Sequence, residues 1–230
     1  MKLRNKLLPL ALALSAAAAL VSAPAQAANA YDVYISEWMY KGVGPNDGFG
    51  EFVEFTNFGT SAVNFTGWSF DDDSRAPLSF RLSAFGSVAA GESVIITQMG
   101  ADQVRARWGL EASVKVIGGY SNNLGNGDEI NLFDANQQLV DRLTYGSNPR
   151  TLGRSGHVSS LASLGANQAN QWVLSSINDV EGSWAANTGD IGSPGYTSFA
   201  APVPEPSTLA MLLAGFGVVG AVARRKQKAE

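Results

Sequence analysis

Glu51-Phe52-Val53-Glu54-Phe55-Thr56-Asn57 is the stretch from which the fold of this chain can be read. Glu51, Val53 and Phe55 fall on one side of an extended backbone and Phe52 on the other, the period-two arrangement of a strand. Upstream, Val33-Tyr34-Ile35-Ser36-Glu37 reads as a first strand, and the Gly, Pro, Asn and Asp punctuation of residues 41–48 marks a loop. Downstream, after Asn57-Phe58-Gly59, residues 63–70 read as a strand. Further strands are predicted at 78–82, 93–97, 114–118, 129–133 and 139–145. Only residues 102–108 read as helical, with Val104 and Trp108 one turn apart on one face. Many short strands, frequent turns and one short helix predict an all-β sandwich or barrel.

Both ends of the chain depart from this rhythm. Lys2, Arg4 and Lys6 precede a Leu/Ala-rich run over 7–20, and Ala25 and Ala27 flank Gln26 in an A-x-A pattern. That order predicts a signal peptide over 1–27, cut after Ala27 by signal peptidase. At the other end, Val203-Pro204-Glu205-Pro206-Ser207 precedes an apolar run over about 208–223 and the basic cluster Arg224-Arg225-Lys226. As a helix the run covers about 24 Å, short for a bilayer core of about 30 Å. The basic cluster favours the cytoplasmic side, so the helix would enter the inner membrane from outside. Pro204 and Pro206 would keep the peptide before it extended and open.

Charge is counted for the chain without these ends. Removing three bases before residue 28, and four bases and two acids after residue 203, leaves 9 basic and 18 acidic side chains, a net charge of −9. Such a surface repels phosphate, and no nucleic-acid partner is expected. There is no cysteine and a single histidine, His157, which rules out thiol chemistry, disulfides and multi-histidine metal sites. Stability must come from a core, and about 170 residues can bury roughly 70 % of their unfolded surface.

Two families are resembled. The tail from 201 to 230 looks like the PEP-CTERM sorting signal, in which the Pro204-Glu205-Pro206 tripeptide, the apolar run and Arg224-Arg225 follow in order. The resemblance implies processing by a membrane cysteine protease of the exosortase class in a Gram-negative bacterium that secretes exopolysaccharide. Within 31–146 the chain resembles the lamin-tail domain. Ile35-Ser36-Glu37 looks like its opening strand, and Glu51 to Asn57 looks like its "E-hydrophobic-hydrophobic-E-hydrophobic-x-N" signature. Val63-Asn64-Phe65-Thr66-Gly67-Trp68, Val88-Ala89-Ala90-Gly91-Glu92, the segment 124–134, and Leu139-Val140-Asp141 with Tyr145 follow in the family's order. Ala90 stands where the family carries proline. The resemblance implies an immunoglobulin-like β-sandwich over 28–146. The polar segment 147–200 resembles the endings of bacterial relatives in Gly153-Arg154-Ser155, a Trp and the Ser193-Pro194-Gly195 turn. It reads as an irregular extension packed by Trp172 and Trp184, with a flexible linker as the competing reading.

Candidate chemistry is sparse. Asp71-Asp72-Asp73-Ser74 lacks the spaced pattern of a Ca²⁺ loop and reads as an acidic turn. The tract 122–128 reads as turn chemistry. Glu51 and Glu54, three apart on a strand, point to opposite faces and cannot form a carboxylate pair. Ser155 near His157 sits in no nucleophile elbow. The sequon Asn64-Phe65-Thr66 lies in a strand and reads as incidental. No catalytic, cofactor or metal residue is assigned; the site residues are those of processing, Ala25, Ala27, Pro204, Glu205, Pro206, Arg224 and Arg225. Two functions remain open: a non-enzymatic surface or matrix module that contacts exopolysaccharide or surface proteins, and a small secreted hydrolase or an accessory domain of one.

Overall fold

The alternation around Val53 and Phe55 builds the centre of the molecule. The computed structural model describes residues 31–43 and 50–200. The signal segment with Ala25 and Ala27, and the tail with Pro204, Glu205, Pro206, Arg224 and Arg225, lie outside the described residues. Among the described residues no helix is long and apolar enough to cross a membrane.

In chain order the strands are β1 (Val33–Met39), β2 (Phe52–Asn57), β3 (Val63–Asn64), β4 (Ser69–Asp71), β5 (Phe80–Arg81), β6 (Ser87–Val88), β7 (Ser93–Thr97), β8 (Lys115–Gly118), β9 (Asp128–Phe133), β10 (Leu139–Tyr145), β11 (Gly156–Val158), β12 (Trp172–Leu174), β13 (Trp184–Ala185) and β14 (Ile191–Gly192). The α-helix α1 (Ala101–Trp108) lies between β7 and β8. A six-stranded sheet runs β12-β11-β1-β2-β7-β8, and a four-stranded sheet runs β10-β9-β4-β5. Among the described residues every pairing between these strands is antiparallel except β7 with β8, which the intervening helix makes parallel.

The two sheets share one core. Val33, Ile35, Trp38, Val53, Phe55, Val94 and Ile96 of the larger sheet meet Phe70, Ile130, Leu132, Leu143 and Tyr145 of the smaller. Trp68 joins them, with its ring 4.4 Å from Phe65 and stacked, and 4.9 Å from Tyr31 edge-on. The opposite, outer face of the larger sheet is also covered: Met39, Phe52 and Ile95 pack on Val104 and Trp108 of α1, with Ala186 and Trp184 alongside. Burial on both faces explains why all six residues of β2 are buried, polar ones included.

The expected strand over 63–70 is two strands. Asn64 Oδ1 accepts from the Thr66 amide and hydroxyl at 2.9 and 2.8 Å, and Gly67 takes φ +83°. This side-chain-closed turn ends β3 and brings Trp68 back over Phe65 before β4 begins. The short strands β6, β11, β12, β13 and β14 add to those expected. Beyond residue 146 the chain does not leave the sheet. β11 pairs with β1 and β12 with β11, so His157 lies opposite Glu37 and Val173 opposite His157.

Register carries one irregularity that positions everything below. Ile35 pairs with Phe55, but Glu37 pairs with Glu54, leaving Ser36 as an extra residue in a β-bulge. At the bulge the Ile35 amide donates to Asp141 Oδ2 of β10 at 2.8 Å, linking the two sheets.

Candidate functional site

The bulge turns Glu37 to the outer face of the larger sheet beside Glu54. Both are 1 % exposed or less. Without the extra residue, period-two alternation would point Glu37 the other way, with Ile35, into the core.

Glu37 Oε1 accepts from the Ser155 hydroxyl at 2.5 Å and the Ser193 amide at 2.8 Å. Glu54 Oε1 accepts from the Ser36 hydroxyl at 2.6 Å, and Oε2 from the Gly195 amide at 2.6 Å. Hydroxyls extend the network sideways: Thr56 to Ser36 at 2.7 Å and to Ser93 at 2.6 Å, and Ser155 to Ser175 at 2.6 Å. A third buried carboxylate, Glu181, accepts from the Thr197 hydroxyl at 3.2 Å and the Ser198 amide at 2.6 Å. Residues 193–198 are therefore a strap, fastened by backbone amides to three glutamates.

Local sequence makes the strap fit. A Cβ at Gly192 would come within 2.7 Å of Ser155 Oγ and 2.9 Å of Glu37 Oε1, so only glycine lets the chain pass this close. Gly195, at φ +90°, aims its amide at Glu54 from a conformation that side chains disfavour. The hairpin of β13 and β14 leads into the strap. It is tied to α1 by Arg107 Nε on Asp190 at 2.6 Å and by Trp184 Nε1 on the Trp108 carbonyl at 3.1 Å.

Burial, with the neighbouring Glu54 charge, holds Glu37 well above the usual carboxylate range despite its donors. Burial pushes Glu54 up to about 7 against the donors from Ser36, Gly195 and Ser93. Two like charges side by side out of water cannot both ionise cheaply.

The residues weighed in the sequence separate in space. Glu51 faces the sandwich, where Tyr120 and the Leu124 amide donate to it at 2.6 and 2.8 Å and burial raises it to about 8. Glu54 faces outward, and its partner there is Glu37, which the bulge in β1 brings opposite it. His157 Nδ1 faces the Val158 carbonyl at 2.9 Å and Nε2 faces Asp179 at 3.2 Å, while Ser155 turns to Glu37. Both ring nitrogens meet oxygen acceptors and neither meets a serine, so there is no Ser-His relay here. Asp71 accepts from the Ser74 hydroxyl, the Ala76 amide and Asn122 at 2.6 to 2.9 Å, closing its own loop. A shallow cleft of about 210 Å³ lies along Tyr31, Asp32 and residues 59–63, and none of the three glutamates lines it.

Comparison with known proteins gives two matches. The family described as Lamin Tail Domain matches residues 26–147, just over half of the 230 residues. The PEP-CTERM protein-sorting motif matches residues 202–226. No curated protein matches the chain. Glu37, Glu51 and Glu54 fall inside the first match, whereas the strap that Glu37 and Glu54 hold lies beyond it.

Proposed function

Because this chain belongs to the Lamin Tail Domain family and carries a C-terminal PEP-CTERM sorting motif, we propose that it is an exported, non-enzymatic surface module. In this reading signal peptidase removes 1–27, the apolar run at about 208–223 holds a precursor in the inner membrane, and an exosortase-type enzyme processes the tail. The mature protein then sits at the cell surface or in the extracellular matrix of a Gram-negative bacterium, meeting exopolysaccharide or surface proteins through sandwich edges and loops.

The observation that carries the reading is the sorting motif, which begins at residue 202, four residues after the strap's last amide anchor at Ser198. A non-enzymatic role is supported by where the titratable groups are spent. Glu37, Glu51, Glu54 and Glu181 are buried, and each accepts hydrogen bonds from protein donors. Catalysis needs such groups within reach of a substrate. The net charge of −9 between residues 28 and 203 argues against a nucleic-acid partner.

The test is fractionation of the producing cell with mass measurement of the C-terminus. Pro204→Ala with Pro206→Ala should let a helix run upstream and leave full-length protein in the inner membrane. Arg224→Glu with Arg225→Glu should instead weaken retention and release an unprocessed chain. Normal processing in both variants would rule out sorting by this tail.

A further inference from the structure

An edge strand offers unpaired amides and carbonyls to any chain that can lie beside it. Among the described residues the larger sheet ends on β12 and β8, and the smaller on β10 and β5. Three of these ends are guarded. β8 carries Lys115, held to Glu92 at 2.9 Å; β5 is two residues long, one of them the exposed Arg81; and on β10 the Thr144 amide donates to Asn167 Oδ1 at 2.6 Å.

β12 has no such guard. Its residues Trp172, Val173 and Leu174 include no charge and no proline, and they run against β11 without a bulge. Hydrogen bonds from Ser159 to Gln171 and from Ser175 to Ser155 fix the phase of that ladder, so Val173 between them turns its backbone to β11. The Leu174 amide and carbonyl and the Trp172 carbonyl therefore point to the open side, while the Trp172 amide is taken by the Ala169 carbonyl. Val173 is 42 % exposed, on the face opposite the buried Trp172.

Charge and symmetry select what lies there. From Ser155 to Asn178 there is no Asp, Glu, Lys or Arg, in a chain that carries −9 between residues 28 and 203. Two copies repel over most of their surface, and this tract lets them meet without charge against charge. Leu161 and Ile177, 54 and 57 % exposed, lie within it. The edge is also complementary to itself. In an antiparallel pairing about a two-fold axis through Val173, Leu174 stands opposite the partner's Trp172, which sets its amide against that carbonyl twice over. Val173 then faces the partner's Val173 in a close, non-hydrogen-bonded pair, an apolar contact at the centre of the interface.

We propose that β12 is a dimerisation edge: two copies of this chain join there by antiparallel strand pairing, so that their six-stranded sheets become one. The contact uses the same strand on both copies, so it closes at two. It does not depend on the sorting function.

The chain has no cysteine, so one introduced thiol reports the contact without background. Cα atoms of a non-hydrogen-bonded antiparallel pair lie about 4.5 Å apart, a separation that a disulfide bridges. In the full chain, made in the producing cell and treated with a mild oxidant, Val173→Cys should give a product of doubled mass on a non-reducing gel, and reductant should return it to single mass. Leu139→Cys, at a position 45 % exposed on β10, should stay single. Leu174→Pro added to Val173→Cys removes the outward amide, which the β11 ladder does not use, and should abolish the link. Leu174→Ala keeps that amide and should keep the link. No doubled product from Val173→Cys, equal doubling from Leu139→Cys, or a link to a different protein overturns the proposal. So does loss of the link with Leu174→Ala, or its survival with Leu174→Pro.

Discussion

Glu37 reaches Glu54 because one residue, Ser36, is inserted in β1. Alternation along β2 was legible, and it correctly sets Glu51 and Glu54 on opposite faces. The pairing of Glu37 with Glu54 was not, since it depends on register between residues seventeen apart in the chain and on a bulge that strand periodicity does not announce. These residues carry a pH prediction. Burial raises Glu51 to about 8, and Glu54 and Asp141 to about 7. Their unfolded values are near 4, so between about pH 4.5 and 8 the folded state holds more protons than the unfolded. Their contribution to stability is complete below that window and is lost as pH rises through 7 to 8. Glu129 acts in the opposite sense: its bond from Arg75 lowers it to about 2, so its contribution is present above the unfolded value and lost on acidification. Stability should peak near pH 5. The urea midpoint should fall between pH 5 and pH 9. Glu54→Gln should flatten that fall, and a midpoint that rises from pH 5 to pH 9 would contradict the assignment.

Elements were legible where a repeating pattern outlasts a turn. β7 and β10 coincide with the strands read from alternation, and α1 with the Val104/Trp108 face. The strand over 63–70 was misread because the side chains of Asn64 and Thr66 close a turn that apolar spacing hides. β11 and β12 are three residues each in a Gly/Ser/Asn-rich tract, and what makes them strands is the open edge of β1, a tertiary cause. That edge gives a prediction about boundaries. The family match ends at residue 147, yet Gly156 and His157 pair with β1, and the strap donors to Glu37 and Glu54 lie later still. A chain of 28–146 would bare the β1 edge, take from Glu37 its donors Ser155 and Ser193 and from Glu54 the Gly195 amide, and uncover the outer face of the larger sheet. It should fail to give a soluble, cooperatively melting protein, whereas 28–200 should give one. Size-exclusion chromatography with near-ultraviolet circular dichroism separates them. A sharp melt for 28–146 would show that the later residues only decorate the sandwich.

At the scale of the whole molecule, the middle and the ends answer to different readers. The sorting motif was legible without any fold, because a processing enzyme reads residues in linear order, and residues 202–226 match that motif. The middle is read by its own packing, so its acidic and hydroxyl side chains acquire meaning only in three dimensions. Charge divides in the same way: the chain between 28 and 203 carries −9, while three bases lie before it and four after. If the ends serve export and sorting alone, removing them should cost the fold nothing. Protein released by the producing cell should begin near Ala28, by N-terminal sequencing, and lack the tail by intact mass. A recombinant chain of 28–203 should then be soluble and melt within about 2 °C of the released protein, a difference of no more than about 1 kcal/mol for a domain this size. Recovery of surface protein still carrying Met1 to Ala27 would refute the export signal. A recombinant chain melting many degrees lower would instead mean that one of the ends packs on the domain and belongs to its fold.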